Sequence, residues 1–109
     1  MSQGTTRRWE TMRTDETRRV EAVLRKEFPN SDAYRYNSAS IRVRVIDPRF
    51  ERMPVDERDA VIEPLLGQLP GETQADIMNL ILLSPSEIEA SCRKSLVNEE
   101  FEDPSESML

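Results

Sequence analysis

The sequence predicts an α+β fold in the order α-β-β-α-α-β-α, a small three-stranded mixed sheet with helices on one face. Three observations carry this. Val20, Val23, Leu24 and Phe28 recur at helical spacing and form one apolar stripe. Residues 41–46 alternate, with Ile41, Val43 and Val45 on one side and Arg42 and Arg44 on the other, as a strand buried on one face does. The apolar run at residues 80–83 leads directly into Ser84-Pro85-Ser86-Glu87, a capping box with proline at the first helical position.

Each element follows in order. Residues 1–13 are polar and unpatterned, the signature of a mobile arm. Thr14 offers an N-cap, with Asp15 and Glu16 in the first turn where the helix dipole favours them. Pro29-Asn30-Ser31 stops that helix. Residues 33–36 form a short strand rich in aromatics, and Asn37-Ser38-Ala39-Ser40 turns the chain into the second strand, making a hairpin. The face carrying Arg42 and Arg44 is expected to be wet. Asp47-Pro48 ends the strand, since proline cannot donate to a ladder.

Pro54 suits the first turn of a second helix that buries Val55, Val61, Ile62, Leu65 and Leu66. Pro64 implies a kink, or an end within a turn of it. Gly67 and Pro70-Gly71 break the chain before a short helix over 72–78. Residues 80–83 form a third strand, apolar on both faces and joined to the second by a right-handed crossover that sets the two parallel. The last helix runs to about residue 97, and residues 98–109 are acidic, as a disordered tail would be. The expected organisation is thus an arm (1–13), one domain (14–97) and a tail (98–109).

Length and charge narrow the function classes. A chain of 109 residues supports one small core. No run approaches the ~18 apolar residues of a membrane span, and the first residues lack the apolar centre of a secretory signal. A single Cys92 excludes an internal disulfide framework and suits a reducing compartment, so a cytoplasmic location is expected. Residues 1–58 hold 13 Lys/Arg against 10 Asp/Glu, whereas residues 59–109 hold 2 against 11. The overall acidity argues against a dedicated nucleic-acid binder, which must neutralise phosphates.

Element order and the stretch IRVRVIDPRFERMPVDERD at residues 41–59 resemble the BolA-like family, which has a class II KH-like fold. The strand at 41–46, the aromatic–acidic pair Phe50-Glu51 and the acid–base pair Glu57-Arg58 carry the resemblance, with the closing segment at 77–87. It spans roughly residues 16–90. The family implies a histidine after the Glu-Arg pair, and another at the start of the last strand as ligand to an iron–sulfur cluster shared with a monothiol glutaredoxin. Here those positions fall on Asp59 and Met78, and the sequence contains no histidine. A carboxylate and a thioether do not replace imidazole in that chemistry. No metal or cofactor is therefore expected, and iron–sulfur handling as the partner of a monothiol glutaredoxin is left as a residual alternative.

The remaining candidates are recognition residues. Arg42 and Arg44, with Arg35 beside them, either solvate a sheet face or meet phosphate or an acidic partner. Tyr34 and Tyr36 pack the sheet or stack bases. Gly67-Gln68-Leu69-Pro70-Gly71 has one residue too many for the Gly-x-x-Gly clamp of a KH module, so nucleic-acid binding is a weak alternative. Asp47, Asp56, Glu57 and Asp59 either complement a helix dipole or hold a cation. With no histidine, serine-centred motif or phosphate loop, no catalytic constellation is present. The expectation is a non-catalytic adaptor that meets an acidic protein partner through Arg35, Arg42, Arg44, Arg49, Phe50 and Arg58.

Overall fold

The computed structural model describes residues 8–90 and residue 101. A 3-10 turn, Arg8–Met12, precedes helix α1, Asp15–Arg25. Strands β1, Ser31–Asn37, and β2, Ser40–Ile46, pair antiparallel as a hairpin. A second 3-10 turn, Pro48–Arg52, leads to α2, Val55–Leu66, and α3, Gly71–Asp76. Strand β3, Ile77–Leu83, lies parallel to β2, and α4, Pro85–Ala90, follows. The sheet order β1-β2-β3 makes β2 central. This is the α+β architecture expected from the sequence, with the third strand three residues longer.

Local chemistry places the boundaries. Thr14 caps α1 by accepting from Thr17 N, and Thr17 Oγ1 accepts from Thr14 N, a reciprocal box that satisfies two free N–H groups. Pro64 lies inside α2, which ends two residues later at Leu66. Ser84 and Glu87 form the expected box at α4: Glu87 Oε1 accepts from Ser84 N at 2.8 Å, and Ser84 Oγ from Glu87 N at 3.3 Å.

The main core lies between the sheet and α1 and α2. Val20, Leu24 and Phe28 meet Ala33, Ile41, Val43 and Val45, with Ile62, Leu65 and Leu69 closing it. Of the five residues expected to form the buried side of α2, Ile62 and Leu65 are buried, but Val55 and Val61 face solvent. A helix of twelve residues lying across one sheet face has room for only one such stripe.

The other sheet face is covered too. Trp9, from the 3-10 turn that falls within the expected arm, is buried against Tyr34, Ile81 and Phe101. Residues 8–12 are therefore part of the packed body, and Phe101, expected in the tail, is fully buried. Cys92 and the rest of the expected last helix and tail lie outside the described residues.

Candidate functional site

Cross-strand register sets out the second sheet face row by row. Asp32, Arg44 and Ile81 stand abreast, as do Tyr34, Arg42 and Asn79. Side chains on one face of adjacent strands are neighbours, so the arginines of β2 are held between polar and aromatic groups. Arg44 Nη2 donates to Asp32 Oδ2 at 2.8 Å, and its guanidinium lies 4.6 Å from the Phe101 ring centre and 5.3 Å from that of Trp9. Arg42 Nη1 donates to the Tyr34 hydroxyl at 3.1 Å and stacks 3.4 Å over the Tyr36 ring. Each arginine is only 7% exposed. The expected wet face is thus corrected. Alternation identifies which residues share a side, while Trp9 and Phe101 over Arg44 and Tyr36 over Arg42 keep water off it.

Arg35 does not join this face. It pairs with Ile41 in the hairpin register and so lies on the helix side. There its Nη2 reaches Glu16 Oε1 at 2.5 Å and Asp76 Oδ2 at 2.8 Å, tying β1 to α1 and α3. Hydrogen bonds from Arg35 and then Thr73 hold the Glu16 carboxyl below the usual glutamate range. Tyr34 is fully buried, so the packing reading of that aromatic holds.

Phe50 and Arg58 are internal as well. The 3-10 turn points Phe50 inward, where its ring stacks on Phe28 with centres 5.6 Å apart. Arg58, 6% exposed, donates from Nη2 to Phe50 O at 2.9 Å, from Nε to Met53 O at 3.0 Å and from Nη1 to Leu82 O at 3.0 Å. It also pairs with Glu87 at 2.7 Å, and that bond, ahead of the capping contacts, lowers the Glu87 pKa. A guanidinium presents five donors in a rigid fork, which is why one arginine can staple a turn, a strand and a helix start. Of the six residues expected to meet a partner, Arg49 is the most accessible, with half of its side chain exposed and its guanidinium 3.8 Å over the Phe28 ring.

The acidic group around the start of α2 separates into ordinary roles. Asp47 is buried and caps its 3-10 turn by accepting from Arg49 N at 2.8 Å. Asp56 and Glu57 occupy the first turn of α2. Among the described residues, no three acidic or thiol side chains converge as a metal site would need. The family's cluster chemistry fits poorly here: Asp59 and the 66%-exposed Met78 provide one hard oxygen donor and one weak thioether, with no imidazole.

What sequence reasoning missed is the edge of the sheet. β3 is hydrogen-bonded to β2 on one side, and Met78 stands exposed near its start. Beside it Glu63, Leu66, Gln74, Ile77, Asn79 and Leu80 line a groove of about 430 Å³. Asn79 is 6% exposed, and its Nδ2 finds no acceptor among the described residues. The only sequence signal is the uncharged run IMNLILL itself.

No known family matches the chain by sequence, and no curated protein matches it either. Comparison with solved structures finds similarity to the solution structure of BolA1 from Mus musculus, at 16% identity and a TM-score of 0.58, covering 100% of this chain and 89% of that one. With the hairpin, the crossover through two helices and the parallel third strand, this similarity establishes that the chain has a BolA-like fold.

Proposed function

We propose that this chain is a non-catalytic domain that binds another protein, and that its contact surface is the outer edge of β3 with the groove behind it. The carrying observation is the edge strand. Natural sheets blunt open edges with charges, prolines or bulges that turn the strand away. Residues 77–83 carry no charge and no proline, and the one register irregularity lies at their start. Among the described residues no further strand pairs with this edge, and short of Leu82, whose carbonyl Arg58 holds, such an edge beside a groove suits addition of a partner's extended segment, whose backbone supplies affinity while alternate side chains enter pockets. Arg35, Arg42, Arg44 and Arg58, first expected to meet the partner, are bonded within the fold, whereas Arg49 stands half exposed.

The test is affinity capture with the full chain and with Met78→Arg. A long charge at an exposed position leaves the fold intact and obstructs strand addition. The proposal expects specific proteins held by the parent and released by the variant. An identical set of captured proteins on both would refute it.

A further inference from the structure

We propose that the segment received at the β3 edge is basic, an inference that rests on β3-edge binding itself. The guest is an extended stretch of a partner protein with lysine or arginine at two alternate positions, facing Asp59 and Glu63 of α2. Backbone direction decides where it pairs. Leu83 O accepts from Asp47 N, on the β2 side, and Leu82 O accepts from Arg58 Nη1, on the outer side. Backbone groups alternate along a strand, so the N–H and C=O of Leu80 also point outward, close to the exposed Met78.

The charge comes from α2. Asp59 directly follows the arginine that reaches Leu82, and Glu63, one turn on, lines the groove beside residues 77–80. The two carboxylates therefore border the open edge. Both are exposed, and neither has an ion pair among the described residues. No cation lines the groove, and β3 itself carries no charge. Four residues of helix rise about 6 Å, and alternate residues of a strand lie about 6.7 Å apart. Two cations at alternate positions thus meet one acid each, whereas adjacent ones point to opposite faces. Asn79 lines the same groove, 6% exposed, and its Nδ2 has no acceptor among the described residues. A guest backbone laid along the edge brings carbonyls beside it. A second copy is a poor guest, because its β3 offers no cation and pairing the two edges sets like acids against each other.

The probes are capped nonapeptides of threonine and valine carrying two lysines at alternate positions, two at adjacent positions, or two glutamates at alternate positions. Binding to the full chain is read by fluorescence anisotropy of the labelled peptide. Strand addition is read by protection of the Leu80 amide against hydrogen exchange. The alternate-lysine peptide should bind and protect that amide. The adjacent-lysine peptide should bind about threefold more weakly, and the glutamate peptide not at all. Glu63→Gln and Asp59→Asn should each weaken the alternate-lysine peptide about threefold, and together about tenfold, as loss of exposed ion pairs does. Added salt should narrow the difference between peptides, and Met78→Arg should abolish the protection of Leu80.

Equal binding of lysine and glutamate peptides, each lost with Met78→Arg, would overturn the assignment of a basic guest while leaving the edge as a binding surface. Lysine-peptide binding that survives Met78→Arg and never protects Leu80 would place the peptide on α2 alone and overturn the proposal. Absence of binding by every peptide at low salt would overturn it too, and affinity capture with Met78→Arg then judges the edge separately. A concentration-dependent dimer dissociated by Met78→Arg would give the edge to a second copy, also overturning it.

Discussion

Replacing Arg58 by alanine should be among the most destabilising single changes available to this domain. The guanidinium donates to the carbonyls of Phe50, Met53 and Leu82 and pairs with Glu87. The four contributions are unequal. Phe50 O also accepts from Met53 N at 3.2 Å, so it keeps a partner when Arg58 is lost. The Glu87 side chain is 43% exposed, so it can turn to water, and the ion pair contributes under ~1 kcal/mol. The Met53 and Leu82 carbonyls each lose a charged donor, at about 1 kcal/mol or more apiece. Adding the stem's packing gives a loss of about 3 kcal/mol, which lowers the midpoint of a domain this size by roughly 12–20 °C.

Thermal and urea unfolding followed by far-ultraviolet circular dichroism measure this directly. Arg58→Lys should recover less than half of the loss, because an ammonium cannot reach three diverging acceptors from one stem. A midpoint for Arg58→Ala within about 4 °C of the parent would refute the stapling argument, since one lost surface ion pair of up to ~1 kcal/mol already moves Tm by that much.

Other outcomes follow from the same contacts. Trp9→Ala should lower stability by about 2–4 kcal/mol, measured by urea unfolding, whereas an unpacked arm would give almost none. Glu16 and Glu87 are held below the usual glutamate range by Arg35 and Arg58, so their stabilisation is present above about pH 4.3, the unfolded value, and is lost as pH falls through their lower folded values. A pH series of melting midpoints should show that acid limb, and Arg35→Met should flatten it. Asn79→Leu should raise the midpoint by a few degrees, because it removes a buried amide that has no acceptor among the described residues.

Helix starts are plainly legible in the sequence. Thr14 and the Ser84–Glu87 pair are local chemistry, satisfied by backbone groups a few residues away, and both caps form as expected. The alternation of residues 41–46 likewise determines which side of β2 each residue occupies. Alternation says nothing of what lies over a face, and for that reason Arg42 and Arg44 are not wet as expected. Tyr36 stacks on Arg42, and the cover over Arg44 comes from Trp9 and Phe101, single aromatics set in polar surroundings with no periodic neighbours to announce them. Phe50 departs from expectation for a related reason. A 3-10 turn of five residues has too short a repeat to read, yet it rotates that ring into the core. Arg35 falls on the opposite side from the one expected because counting along β1 alone does not reveal its partner, Ile41.

Trp9 and Phe101 touch although nearly the whole polypeptide separates them. Closing so large a loop is entropically unfavourable until the hairpin and its helices have already formed, so this ring contact should assemble last during folding. By the same logic the contact should open first, the amides of residues 8–12 exchanging well before those of the central strand. The domain would then pass through a brief native-like stage in which its arginine rows lie bare to water.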